Sequence, residues 1–270
     1  MSVEYLDITS KKDLVVYQNE ILQLFEVSYG KPLDLSIWQW AYSENFFGDP
    51  IVCLAIEKSL IVGHYAVIPF RLRNNSGKLL NSYLSMTTMV APSHQGKGLF
   101  TILAKRVYEN GAKLYPDFMV FGFPNDNSVH GFKKHLGWRL QESKIAVANK
   151  QTLLQSVPFL KIYNDSSRFY PDLSNPEGLS WRMSKPGSEW VAFGGAYLKK
   201  FESHYDLMYY GSPKDLENIP DEISFNALID SQVLAEAEFS ETKPYRFGYY
   251  CSDNHSFPEF KLCMSMSDVF

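Results

Sequence analysis

The chain has 270 residues, 45% hydrophobic and 21% charged, an ordinary globular composition with enough apolar residues for one or two cored domains. No apolar run approaches the ~20 residues of a membrane span, Met1-Ser-Val-Glu-Tyr-Leu-Asp7 carries neither a basic start nor an apolar signal core, and three cysteines without a Cys-x-x-Cys point to free thiols in a reducing, cytoplasmic setting. The net charge of −4 is uneven: residues 1–150 hold 16 basic and 13 acidic side chains and residues 151–270 hold 10 and 17, so the acidic second part speaks against nucleic acid as the main partner, and the six histidines show no metal-ligand spacing.

Taken in order, Glu4 to Ile8 reads as a short strand. Ser10 and Asp13 then have the spacing of a capping box. Leu14, Tyr17, Ile21, Leu24, Phe25 and Tyr29 repeat at helical spacing, stopped by Gly30 and Pro32. A second helix starts at Asp34 or Ser36 and carries Trp38, Trp40 and Tyr42. Ile51–Glu57 and Ile61–Phe70 make a hairpin, and the polar run 71–78 is a loop. In the strand Asn81–Val90, period two puts Leu84, Met86, Thr88 and Val90 on one face and Tyr83, Ser85, Thr87 and Met89 on the other. The Leu84 face should meet the following helix, which leaves the Tyr83 face to look toward a pocket.

Val90-Ala-Pro-Ser-His-Gln-Gly-Lys-Gly-Leu-Phe100 is the centre of the chain. A strand runs into two glycines two apart, and these open directly into a helix from Leu99 to about Tyr115, with no acidic residue between. Unpaired N–H groups and a partial positive charge at a helix start, with glycines that let a ligand approach the backbone, suit a phosphate or pyrophosphate. A P-loop needs Ser or Thr after Gly-Lys, and Gly98 stands there; a dinucleotide fingerprint needs a third glycine where Thr101 stands. Asp117–Phe123 reads as a buried central strand. Pro124-Asn125-Asp126-Asn127 ends it, a short helix follows, and Gly137 closes that helix before a strand starting at Trp138.

The stretch Gln95-Gly96-Lys97-Gly98-Leu99-Phe100, preceded by Met89-Val90-Ala91-Pro92 and followed by Phe118 to Asn125 and Leu136-Gly137-Trp138, resembles the GCN5-related N-acetyltransferase (GNAT) superfamily. The likeness covers roughly residues 50 to 150. Phe100 departs from it, since the pattern has Gly or Ala there. Further on, residues 151–178 read as a connector, and Leu179-Ser-Trp181-Arg182-Met183 echoes the Trp38 helix. Two hairpin-like strands follow, Glu189–Lys199 and His204–Gly211. The Trp-Arg element and the Ser-Asp-Val-Phe270 ending are similar to a two-lobed branch of the superfamily that includes sugar N-acyltransferases. The implied fold is α/β (α+β): a GNAT-like mixed central sheet with helices on both faces over 1–150, a connector, and a smaller degenerate GNAT-like lobe over 179–270 without a Gln-Gly-x-Gly of its own.

The resemblance implies acetyl-CoA or another acyl-CoA as donor. Backbone amides from Gly96 through Lys97, Gly98 and Leu99 to Phe100 would bind its pyrophosphate. The main chain of Met89, Val90 and Ala91 would pair with the pantetheine arm, and Gln95 and Asn125 complete the motif. An amine attacks the thioester directly, so no nucleophilic Cys or Ser is needed; a base, an oxyanion donor and an acid for the thiolate remain. The superfamily's Tyr acid falls at Lys133 here, or at Phe132 with a one-residue shift, and a thiolate with a pKa of about 8.5 leaves with little help. Lys133 is therefore a candidate for supporting the thiolate, and His64, His94 and His130 are candidates for the base. Trp38, in a helix pair that flanks the acceptor pocket in the superfamily, and Tyr83 are candidates for substrate contact. A nucleotide-linked amino sugar for surface polysaccharide is the preferred acceptor. The alternatives are an aminoglycoside, a polyamine, a peptide amine, or a non-catalytic acyl-CoA-binding protein; a homodimer is the assembly considered.

Overall fold

The computed structural model describes residues 3–235, 239, 242–253 and 258–267. Strand β1 (Glu4–Ile8) leads to Ser10, whose side chain accepts from the Asp13 N–H as the capping-box spacing predicts. The first helical run is not continuous. One turn at Lys11–Leu14 and a tight 3₁₀ turn at Val15–Tyr17 precede helix α1 (Gln18–Tyr29), which Gly30 ends in the left-handed conformation. Asp34 caps α2 (Leu35–Trp38), which widens into a π turn over Gln39–Ser43.

Strands β2 (Ile51–Glu57) and β3 (Leu60–Pro69) form the expected hairpin, turned at Lys58 and Ser59, both at positive φ. Strand β4 (Ser82–Val90) pairs with β3 across a bulge: His64 faces Met89 but Ala66 faces Met86, and Thr87 takes the extra residue at φ 54°. The bulge resets the period-two alternation, so the faces drawn from the sequence hold only as far as Met86. Helix α3 (Leu99–Leu114) buries Leu99, Leu103, Ala104, Val107, Tyr108 and Gly111. Strand β5 (Met119–Gly122), helix α4 (Val129–Leu136) and strand β6 (Arg139–Gln141) follow, and Gly137 caps α4.

The stretch after Trp138 divides, because β7 (Ser143–Ala148) leaves the first sheet for a second one. Lys150–Leu154 and α5 (Val157–Asn164) make the first part of the connecting stretch helical, and α6 (Pro176–Met183) carries Trp181. The second lobe holds β8 (Trp190–Phe193), β9 (Ala196–Phe201), β10 (His204–Tyr210), β11 (Phe225–Asp230), β12 (Thr242–Pro244) and β13 (Phe247–Cys251). The expected strand from Glu189 is two strands, broken at Gly194 (φ 60°).

The first sheet runs β1-β2-β3-β4-β5-β13-β6 and the second β8-β9-β10-β11-β7-β12. Each lobe thus lends a strand to the other: β13 inserts between β5 and β6, and β7 between β11 and β12. The sheets do not divide at residue 150 as the sequence suggests. Each is an antiparallel run with a single parallel pair, β4 with β5 and β10 with β11. The helix echo noted above closes the molecule. Trp40 and Trp181 stack with centroids 4.9 Å apart and planes 5° apart, and each indole N–H donates to the other's carbonyl, at 2.8 and 3.0 Å. Asp268-Val-Phe270 of the Ser-Asp-Val-Phe ending lie outside the described residues. Among those described, no helix is long and apolar enough to cross a membrane.

Candidate active site

Strands β4 and β5 pair only at their beginnings: Ser82 with Met119, Tyr83 with Val120 and Leu84 with Phe121. Beyond Leu84 they part, and a cavity of about 680 Å³ opens between them. Its walls are Ser85 to Thr88 and Val90 of β4, Gly122 to Asn125 at the end of β5, Phe100 from α3, and Gly131 and Phe132 from α4, with Trp138 behind and Tyr29 at the mouth. Unpaired strand edges facing each other across a gap offer main-chain hydrogen bonds to an extended ligand. Among the described residues, none of those lining it carries a charged side chain.

Gln95 is at the loop end of this cavity. Gly96 and Gly98 adopt φ 75° and 76°, and a Cβ built on either meets nothing within 4 Å. Gly98 is also the N-cap of the 16-residue α3, which has no side-chain cap and no acid in its first turn. The first N–H groups of α3 therefore have no competing carboxylate, and the exposed loop is open to a pyrophosphate. The residues present fit an acyl-CoA: an open glycine loop leading into a cleft between strand edges that do not pair with each other. Phe100, the departure from the pattern, reaches across to α4. Its Cε1 lies 2.9 Å from where a Gly131 Cβ would be, and its ring is 5.1 Å from Phe132, so Gly131 makes the aromatic residue tolerable here.

The remaining candidates separate. Val90, Gln95, Phe100 and Asn125 line the cavity, while Met89 and Ala91 are buried in the strand behind it. Gln95 donates to the Val90 carbonyl at 3.2 Å. Asn125 Oδ1 accepts from the N–H groups of Asn127 and Ser128, fixing the entry to α4. His64 does not face the cavity. It is fully buried, and its Nδ1–H donates to the Thr87 carbonyl at 2.7 Å, leaving Nε2 unpartnered; burial pushes its pKa down to about 4. A neutral ring held this way braces the bulge and is not placed to take an acceptor's proton. His94 turns away to Glu57, 3.4 Å from Nε2. His130 and Lys133 lie exposed on α4 outside the cavity, because the helix turns Phe132 and Leu136 inward. Tyr83 is 4% exposed against Tyr115 and Phe118, and Trp38 is 1% exposed against Tyr42; neither lines the cleft.

Sequence reasoning placed Ser85 on a pocket-facing strand face, where it is found, and missed Tyr29, Gly122 and Trp138. Tyr29 closes the core stripe of α1, but its hydroxyl donates to the Thr88 carbonyl at 2.7 Å beside the bulge. The bulge, which no residue type announces, brings Thr88 onto the wall beside Thr87.

Residues 17–140 match a family model described as an acetyltransferase (GNAT) domain. The match takes in a little under half of the chain, and those residues are similar to a GNAT domain. It is similar in structure to a GCN5-related N-acetyltransferase from Kribbella flavida, with a TM-score of 0.61, 13% identity, and 93% of this chain and 71% of that one covered. A probable N-acyltransferase from Enterococcus faecalis gives a TM-score of 0.59 at 9% identity over 92% and 72%. A GCN5-related N-acetyltransferase from Anabaena variabilis gives 0.51 at 12% over 91% and 72%. At such identities the likeness shows a shared fold, and that fold extends over both lobes. No curated protein sequence matches the chain. The GNAT match bears out the enzyme class expected from the motif, an acyl-CoA-dependent N-acyltransferase.

Proposed function

We propose that this enzyme acylates the primary amine of a nucleotide-linked amino sugar destined for surface polysaccharide, with acetyl-CoA or another acyl-CoA as donor. The thioester supplies an activated acyl group, and the chain supplies the binding frame. Amides of the Gly96–Phe100 loop hold the pyrophosphate, and the edge of β4 that parts from β5 aligns the arm. The apolar wall of Phe100, Phe132 and Trp138 excludes water from the reacting end.

The observation that carries the acceptor reading is the uncharged cavity wall. Aminoglycosides and polyamines arrive with several positive charges, and a site that selects them presents carboxylates. Tyr29, half-exposed at the mouth with its hydroxyl engaged to Thr88, offers a fixed ring face to a sugar or base. The surplus of basic over acidic residues in 1–150 favours a diphosphate-bearing acceptor over a cationic one.

The test is thiol release from acetyl-CoA with three acceptor sets: UDP- and dTDP-linked amino sugars, aminoglycosides, and polyamines. The expected result is at least ~10-fold higher kcat/KM for a nucleotide-linked amino sugar, about 1.4 kcal/mol of discrimination. Turnover confined to the polycations would replace this acceptor with the cationic one.

A further inference from the structure

Four side chains form one hydrogen-bonded series whose two ends, Trp138 and Ser85, both line the cleft. Trp138 Nε1 lies 2.7 Å from the Tyr108 hydroxyl, that hydroxyl lies 2.9 Å from the Tyr65 hydroxyl, and Tyr65 in turn lies 2.9 Å from Ser85 Oγ. The first member sets the direction. An indole N–H only donates, so the Tyr108 oxygen accepts from it. Tyr65 and Tyr108 are buried, and among the described residues neither phenol has a hydrogen-bond partner outside the line. A buried hydroxyl proton without an acceptor is costly. Tyr108 therefore donates to Tyr65 and Tyr65 to Ser85, and burial holds both phenols protonated by raising their pKa values. Every proton in the line then has an acceptor except that of Ser85.

Ser85 is partly exposed on the cavity wall, the first residue past the last β4–β5 pair, Leu84 with Phe121. Facing it, Gly122 keeps the space open: a Cβ there would lie 3.5 Å from Ser85 Cβ and 3.4 Å from the Trp138 ring. An arm laid along β4 from the Gly96–Phe100 loop passes Val90, Thr88 and Thr87 before the cleft closes at Ser85. The group that arrives there is the acyl end. Hydrogen bonds in series polarise one another, so the terminal donor is stronger than a lone serine.

We propose that Ser85 is a catalytic hydroxyl that donates a hydrogen bond to the carbonyl oxygen of the bound thioester, with Tyr65, Tyr108 and Trp138 as positioning residues that aim its proton. This rests on the acyl-CoA reading of the cleft. In the step it assists, the amine nitrogen bonds to the carbonyl carbon and the C=O pair moves onto oxygen. It returns as the C–S bond breaks, the thiolate leaves with its pair, and the nitrogen's proton passes to solvent. Ser85 keeps its own proton throughout and stabilises the oxygen as its charge grows. A donor at this position does the work of charge stabilisation from the strand side, in a chain whose α4 has Lys133 where the superfamily's tyrosine would be.

The test uses the full chain with acetyl-CoA labelled at the carbonyl carbon. Calorimetry reads binding and isotope-edited infrared spectroscopy reads the thioester carbonyl. In wild type the band should lie at lower frequency than in Ser85→Ala. Ser85→Thr, which keeps the hydroxyl, should return it, and Tyr65→Phe should leave it between the two. With an acceptor in hand, Ser85→Ala should lower kcat ~10- to 100-fold while KM for acetyl-CoA stays within about threefold. Binding to wild type and Ser85→Ala with the same carbonyl frequency overturns the Ser85 role alone. No binding to wild type overturns the donor reading of the cleft, and the Ser85 role with it.

Discussion

The two lobes share a strand plan and differ in what lies between the parallel strands. In the first, β4 and β5 part after Leu84 and leave about 680 Å³. In the second, β10 and β11 pair only at Tyr205–Phe225 and Asp206–Asn226, and the cavity near their far ends is about 20 Å³. Lys261 and Leu262 come in from the C-terminal segment and Phe159 and Tyr163 from α5 to line it, Tyr163 donating to the Tyr210 carbonyl at 3.0 Å. The loops differ as well. Beyond β4 stand two open glycines and a 16-residue helix without an acid in its first turn. Beyond β10, Gly211 leads to the four-residue helix Pro213–Leu216, whose first turn holds Asp215, accepting from Ser212. A carboxylate on so short a helix repels the anion that the first loop suits. One strand plan thus carries an acid-free glycine loop and an open cleft between its parallel strands in one lobe and, among the described residues, neither at the same place in the other.

The largest effect should come from breaking the contact that relates the lobes. Trp181→Ala removes a stacked indole and leaves the Trp40 carbonyl without its indole donor, and should cost about 3–5 kcal/mol in guanidinium unfolding. Because each sheet contains a strand of the other lobe, unfolding should stay a single transition. Two separate transitions in the variant would show that the strand exchange does not couple the lobes.

Next is the loop that sets the first lobe apart. Gly98→Glu puts a side chain and a negative charge at the α3 start, on a residue at φ 76°. Acetyl-CoA at about 100 times its dissociation constant should stabilise wild type by ~2.7 kcal/mol, and a thermal melt should show no such rise in the variant. A rise that survives would mean the ligand's charge lies elsewhere than at this helix start.

The first lobe was legible because its function is carried by local signals. Gly96, Gly98 and the acid-free turn after them occupy consecutive positions, and backbone conformation at glycine can be read from sequence. Ser10, Gly30, Asp34 and Gly137 marked helix ends for the same reason. What stayed hidden depends on long-range pairing. The period-two reading of 81–90 put Tyr83, Ser85, Thr87 and Met89 on the pocket side; Ser85 and Thr87 line the cleft, Tyr83 and Met89 are buried, and the bulge at Thr87, imposed by register with β3, brings Thr88 and Val90 to the wall as well. Nothing local distinguishes β7 from β6, so the exchange of β7 and β13 could not be seen. The line from Trp138 to Ser85 joins residues 53 positions apart. The likeness of Trp181 to the Trp38–Trp40 helix was visible; that the two helices bond to each other was not.

The smallest expected effect concerns the filled cleft. Lys261 is 4% exposed, with Nζ 4.8 Å from the ring of Tyr163 and 5.1 Å from that of Tyr170 and no hydrogen-bond partner among the described residues. Burial pulls its pKa down from 10.5 to about 8. Below pH 8 the folded chain carries a charge it holds poorly. Between pH 8 and about 10.5 the unfolded chain binds more protons than the folded one, so stability rises with pH across that window and is level above it. Lys261→Met, similar in length and apolar, should therefore be more stable than wild type at pH 7 by about 1–3 kcal/mol, with the advantage vanishing by pH 10.5 in chemical unfolding. A difference that does not change with pH would mean the two ring faces keep the ammonium charged. The second lobe would then hold a built cation cage where the first holds a substrate cleft, and the contrast between them would be one of ligand sign rather than of open and filled space.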